Sequence, residues 1–221
     1  MTLFDTLKRA CTEDWRAYTD HAFVRGMADG TLPEACFRHY LVQDYLFLIH
    51  FARAYGLLAF KSERLSDMRA AAATMHAILD QEMQLHVRLC AEWGISEAEM
   101  EAAPEAGATM AYTRYVLERG LSGDALDLQV ALSPCVIGYG EIAARLMADP
   151  ATKREGNPYM VWIGEYAGEA YQQVAADAIA ALDRGAEGRV TEARMPSLAR
   201  TFGQATRLEA AFWQMGLDTS L

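Results

Sequence analysis

The sequence predicts an all-α protein, and three observations carry that prediction. Apolar residues recur at three- and four-residue spacing along almost the whole chain, the interval that keeps them on one face of a helix. No alternating run bounded by turn residues is long enough to read as a strand. All the prolines except Pro134 fall near expected helix starts or between helices, where a missing N–H costs least.

Taken in order, the first helix is expected from about Leu3 to Met27. "ADGTLPEACF" ends it and starts a second, with Thr31 as N-cap and Pro33 in the first turn, running to about Lys61. A third spans roughly Leu65 to Trp93, closed by Gly94. Ser96 followed by Glu99 is the capping box of a short helix before Pro104. A fourth covers about Ala106 to Arg119 and ends at Gly120; Asp124 opens a fifth that reaches Met147. Asn157 and Pro158 form the N-cap and first turn of a sixth, to about Asp183. The last helix ends near Gly216, and Pro196 leaves its start unplaced. With no repeat, low-complexity tract or linker, a single domain over residues 1–221 is expected.

Lys and Arg number 20 against 30 Asp and Glu, a net charge of −10 with no dense basic run. That balance argues against a nucleic-acid partner, because phosphate binding needs a basic surface that releases counterions. "MTLFDTLKRACTEDW" has acids where a signal peptide would be apolar, and no stretch is read as reaching the roughly 18 apolar residues of a membrane span. A cytoplasmic protein without a membrane partner is expected. Cys11, Cys36, Cys90 and Cys135 lie far apart with no C-x-x-C pair, which points away from a zinc knuckle or redox dithiol and toward reduced thiols.

Several polar residues do not fit a plain core. "HYLVQDYLFLIHF" sets Asp44 among apolar and aromatic side chains, with Phe47 and Phe51 following on the same side. A buried carboxylate needs a partner, from a neighbouring helix or from a ligand. In "LSPCVIGYGE", Cys135 and Tyr139 are one turn apart on one face. Pro134 is expected to kink this helix and to leave a carbonyl free one turn earlier. If the helix restarts there, amide dipoles favour a Cys135 thiolate; an inert buried thiol is the alternative.

"RLEAAFWQMG" places Glu209 beside Phe212 and Trp213, where desolvation raises a carboxyl toward a general acid; a surface Glu209 bonded to Arg207 is the alternative. "MAYTRY" supplies Tyr112 and Tyr115, and "YMVWIGEYAGEAY" supplies Tyr159, Trp162, Tyr166 and Tyr171. Buried tyrosines need hydrogen-bond partners, which a planar polar ligand would provide. Glu82 and His86 are spaced i, i+4, whereas di-iron bundles use two Glu-x-x-His pairs at i, i+3. No such pair of motifs occurs, so these residues give a metal centre only weak support, and Glu82 and His86 are expected to bond each other or the backbone.

"QDYLFLIHFARAY", "SPCVIGYGEIA", "NPYMVWIGEYAGEAY" and "RLEAAFWQMG", in that order and spread over nearly the whole chain, resemble blocks of the TenA family, the thiaminase II or aminopyrimidine aminohydrolase enzymes. The resemblance implies a haem-oxygenase-like helical bundle, a homotetramer, and a role in thiamin salvage without metal or cofactor. Carried over by position, Cys135 matches the nucleophile, Glu209 the proton donor, and Asp44 the carboxylate that binds the aminopyrimidine. Tyr112, Tyr139 and Tyr166 match tyrosines lining the same pocket. Phe47 departs from the pattern: many members have a tyrosine there whose hydroxyl helps make the cysteine nucleophilic. Tyr45 lies on another helical face and is a poor substitute.

The expected reaction is cysteine-dependent hydrolysis of 4-amino-5-aminomethyl-2-methylpyrimidine, and of thiamin, to 4-amino-5-hydroxymethyl-2-methylpyrimidine. Two other classes stay open: a metal-dependent oxidase on the same fold, and a non-catalytic pyrimidine-binding or regulatory protein.

Overall fold

The computed structural model describes residues 1–221 and contains α-helices, one π turn and no strand. Where one first helix is expected there are three, α1 (Leu3–Ala10), α2 (Thr12–Thr19) and α3 (Ala22–Asp29). Cys11 and Asp20 leave helical backbone geometry at the two breaks. Local side chains compete for the backbone there: the Thr12 hydroxyl donates to the Arg9 carbonyl, and His21 Nδ1 accepts the Phe23 N–H as an N-cap. Gly30, at φ 73°, closes α3 in the left-handed conformation. Thr31 does not cap the next helix, because α4 (Glu34–Lys61) begins directly after Pro33, beyond its reach as N-cap; its N–H and hydroxyl instead donate to Asp29 Oδ1.

The expected third helix is present as α5 (Leu65–Ala77), a π turn at Ile78–Glu82 and α6 (Met83–Ala91). The Ser96–Glu99 capping box forms in both directions at the start of α7 (Glu97–Glu101). Gly120 does not end α8 (Gly107–Ser122) but lies inside it. A Cβ at that position would come within 2.7 Å of Leu57 and 3.0 Å of Leu128, so the glycine serves close packing rather than termination.

Asp124 Oδ1 accepts the N–H groups of Leu126 and Asp127 and opens α9 (Ala125–Ala148). This helix runs unbroken through Pro134. The Val130 carbonyl, freed by the proline, accepts the Ser133 hydroxyl at 2.9 Å. Cys135 therefore sits inside a continuous helix, and the argument from a fresh helix start does not apply to its thiol. By length and composition α9 could cross a membrane, contrary to expectation, yet 78% of its qualifying stretch is buried inside the protein, as in a core helix.

Asn157 Oδ1 accepts the Tyr159 N–H in a turn that precedes the helix, so Tyr159 and not Asn157 is the N-cap and Pro158 lies outside the first turn. The expected sixth helix then divides into α10 (Met160–Ala167) and α11 (Glu169–Ala186), with Gly168 extended between them. Pro196 falls in the first turn of α12 (Met195–Asp218), where it is tolerated.

The residues group into two compact units, one of Met1–Pro33 with Gln129–Gln214 and one of Glu34–Leu128 with Met215–Leu221. The boundaries at 128/129 and 214/215 fall inside α9 and α12. In the first unit Trp15 stacks on Phe202 at 5.6 Å and meets Phe4 edge-on at 5.4 Å, while Glu141 accepts from both Lys8 and the Trp15 indole. In the second, buried Gln43 donates to the Pro104 carbonyl and accepts from the Ala106 N–H and the Thr109 hydroxyl. One side chain thus fixes α8 against α4.

Candidate active site

Cys135, Tyr139, Tyr166 and Glu209 belong to the first unit, and the helices that carry them can be ordered from their contacts. Trp15 bonds Glu141 and stacks on Phe202; one turn later Tyr18 donates to the Pro134 carbonyl at 3.4 Å and stacks on Trp213. Along α2 the α9 numbers therefore fall while the α12 numbers rise, so α9 and α12 run antiparallel. Tyr139 and Trp213 stack at 5.2 Å between the two helices. Cys135 precedes Tyr139 by one turn and Glu209 precedes Trp213 by one turn, so both flank this ring pair. Both are buried, Cys135 at 9% exposure and Glu209 at 1%, so the surface reading of Glu209 is excluded.

Tyr166 and Trp162 close the aromatic wall, with ring centroids 5.2 Å and 5.6 Å from Tyr139. Gly138 makes the arrangement feasible, since a Cβ there would lie 2.4 Å from the Tyr18 ring. Other tyrosines are structural. Tyr159 donates to the Leu32 carbonyl, and Tyr115 lies beneath the Arg119 guanidinium at 5.8 Å.

The other thiols are held protonated. Burial raises the pKa of Cys11 and Cys36, reinforced by the negative charges of Asp14 and Asp218, and pushes Cys90 up to about 11. None of the four cysteines forms a disulfide.

Asp44, Phe47 and Tyr112 belong to the second unit. Asp44 is 3% exposed, and the partner its burial demands comes from α6: His86 Nε2 lies 2.7 Å from Oδ2. Tyr40, one turn earlier on α4, donates to the same oxygen at 3.0 Å. His86 Nδ1 meets the Glu82 backbone carbonyl at 3.0 Å, so the expected bond of this histidine to the backbone forms and both ring nitrogens are engaged. Burial lowers the affinity of the imidazole for a proton, but the hydrogen bond and charge of Asp44, with the Glu82 carbonyl, outweigh it. The His86 pKa consequently lies above its usual value.

Phe47 packs between Phe51 and Tyr112, with centroids 5.1 Å and 5.0 Å away. Tyr45 points elsewhere and donates to Glu97, as its helical phase requires. Sequence reasoning missed Tyr18, Tyr40 and the role of His86. The i, i+4 spacing of Tyr40 and Asp44 was the available signal for one of them; nothing local marks the other two.

A family model described as TENA/THI-4/PQQC matches residues 9–219. An uncharacterised protein of Haemophilus influenzae is 43% identical over 204 residues, 92% of this chain and 94% of that protein. The aminopyrimidine aminohydrolase of Halalkalibacterium halodurans is 37% identical over 205 residues, 92% of this chain and 90% of that enzyme. Among solved structures, a TenA family transcription regulator from Silicibacter sp. TM1040 is 46% identical with a TM-score of 0.92, covering 97% of this chain and 96% of that one. A domain of unknown function with a haem-oxygenase-like fold from Shewanella denitrificans superposes with a TM-score of 0.72 at 14% identity, over 99% of this chain and 93% of that domain, which identifies the architecture. With the family match running almost from end to end on that architecture, the chain belongs to the TENA/THI-4/PQQC family and, within it, to the TenA proteins.

Proposed function

We propose that this protein is an aminopyrimidine aminohydrolase of thiamin salvage, converting 4-amino-5-aminomethyl-2-methylpyrimidine, and thiamin, to 4-amino-5-hydroxymethyl-2-methylpyrimidine. The observation that carries this reading is the buried Asp44 carboxylate. Both protein hydrogen bonds it accepts fall on Oδ2, so Oδ1 is the acceptor for the amine N–H of a pyrimidine. Similarity to aminopyrimidine aminohydrolases supports the same substrate class.

The chemistry needs three groups. Direct displacement at the pyrimidine methylene leaves developing charge unstabilised, whereas adding a thiolate to the ring breaks its aromaticity and lets the ring electrons expel the leaving group. Cys135 supplies the thiolate, Asp44 holds and polarises the ring, and Glu209 gives its proton to the departing amine. Water then adds to the exocyclic methylene and the ring expels the cysteine, which regenerates the enzyme. Tyr112, Tyr139 and Tyr166 line the site, and Phe47 contributes its ring alone. The reaction runs in the cytoplasm, in keeping with four cysteines in the reduced form, and within one functional domain spanning residues 1–221. Exposed Phe60 and Leu121, at 83% and 70%, are candidates for burial in a homotetramer, which sedimentation equilibrium tests.

Mass-spectrometric detection of the hydroxymethylpyrimidine, after incubation with each substrate, tests the function against a Cys135→Ala control. Product from the wild type alone supports it, and product from both removes the cysteine-dependent route. A second reading, a pyrimidine-binding protein without turnover, is favoured by the 46% identity to a transcription regulator and by Phe47. Tight pyrimidine binding with no product from wild type would establish it.

A further inference from the structure

His86 lies wholly buried on α6, and its two nitrogens face chemically different partners. The Glu82 carbonyl can only accept, so Nδ1, 3.0 Å away, carries a proton. Nε2 and Asp44 Oδ2 are 2.7 Å apart, a separation that requires a second proton between them. Imidazole and carboxyl together therefore hold two protons and no net charge, whichever of the two atoms keeps the shared one. Tyr40 adds a third donor to the set, again to Oδ2.

The helix is built to give this direction. The π turn at Ile78–Glu82 contains one more residue than an α turn, which rotates everything after it by about 100°. In an uninterrupted α-helix the His86 ring would point away from α4 by that angle. Two hydrogen bonds to Oδ2, from Tyr40 and from His86, restrain the carboxyl and leave Oδ1 to another donor.

We propose that His86 is a positioning residue for ligand recognition: by committing Asp44 Oδ2 it directs Oδ1 to accept the exocyclic amine N–H of an aminopyrimidine. This rests on the reading that Asp44 binds the pyrimidine, and it adds to that reading the group that sets the geometry of the carboxyl.

The test is calorimetric binding of 4-amino-5-hydroxymethyl-2-methylpyrimidine, with steady-state kinetics, in four variants. His86→Leu removes the donor and should weaken binding roughly tenfold or more, the value of a hydrogen bond to a charged group, raising KM more than it lowers kcat. His86→Gln, whose amide N–H reaches the Nε2 position, should restore most of that affinity. In an Asp44→Asn background, adding His86→Leu should change binding by less than about twofold, because the histidine acts only through the carboxylate.

Loss on Asp44→Asn with none on His86→Leu overturns the positioning role alone. No loss on Asp44→Asn overturns the binding role of Asp44 and the inference with it. Should His86→Leu not fold, nitrogen-15 spectra of the wild-type histidines decide: Nδ1 of His86 is expected protonated, and a bare Nδ1 overturns the proposal.

Discussion

Tyr139 and Trp213 stack with centroids 5.2 Å apart and planes 26° from parallel, and each ring follows by one turn a residue of the proposed chemistry. Cys135 and Glu209 thus take their positions from a single rigid contact between α9 and α12. Their tasks separate by leaving group. A primary amine leaves only when protonated, whereas the thiazolium of thiamin already carries its positive charge. Glu209→Gln should lower kcat for the aminomethylpyrimidine by about a hundredfold, within the range of general acid catalysis, and thiamin cleavage by much less. Parallel assays on the two substrates check this, and equal loss on both counts against proton donation.

Local chemistry was legible in the sequence, and packing was not. The Ser96–Glu99 box and Asp124 make the cap bonds expected of them, because donor and acceptor lie within three residues of each other; Asn157 instead bonds the Tyr159 N–H in the turn before α10, whose N-cap is Tyr159. Gly120 was misread as a terminator because its neighbours, Leu57 and Leu128, come from elsewhere in the fold. The single first helix failed for a related reason: apolar spacing continues across Cys11 and Asp20, while side chains such as Thr12 and His21 give the backbone other bonds. That Asp44 needs a partner follows from its surroundings in the sequence. That the partner is His86, 42 residues away, follows only from the fold.

Phe47 sits between Phe51 and Tyr112 at 3% exposure. A tyrosine at this position would add one hydroxyl to a packed site. Phe47→Tyr should raise kcat about tenfold if the hydroxyl stabilises the attacking thiolate, the value of one hydrogen bond to a charged group. A hydroxyl left without a partner would instead cost about 1–3 kcal/mol of stability. Turnover and melting temperature measured together tell the outcomes apart, and an unchanged kcat removes hydroxyl activation as the missing element.

Gly138 and Gly164 make a controlled pair. A Cβ on Gly138 meets the buried Tyr18 ring at 2.4 Å, while one on Gly164 meets nothing within 4 Å. Gly138→Ala should push Tyr18 off the Pro134 carbonyl and the Trp213 stack, costing about 1–3 kcal/mol as overpacking does. At roughly 2–4 °C per kcal/mol for a chain of this size, the melting temperature should fall by about 2–12 °C. Turnover should fall with it, since Tyr18 braces the helix turn that carries Cys135. Gly164→Ala, inside α10, should be neutral or stabilise by about 0.5–1 kcal/mol. Similar losses from both would show that close approach of Tyr18 does not determine the glycine.

Cys90 gives an alkaline limit to stability. Burial holds its thiol up to about 11, against an ordinary value of 9.0. Below pH 9 the thiol is protonated in both folded and unfolded chains and contributes no pH dependence. Between pH 9 and about 11 the unfolded thiol ionises while the folded one cannot, so the unfolded state binds fewer protons and stability falls as pH rises. Two pKa units correspond to roughly 3 kcal/mol lost across that window. Tyr45, pushed up to about 12 by burial and by Glu97, extends the decline by the same logic. Urea unfolding at pH 8, 9, 10 and 11 should show this slope in the wild type and a flatter one in Cys90→Val, whatever the variant loses in absolute stability. Parallel slopes would mean that the Cys90 thiol titrates alike in both states.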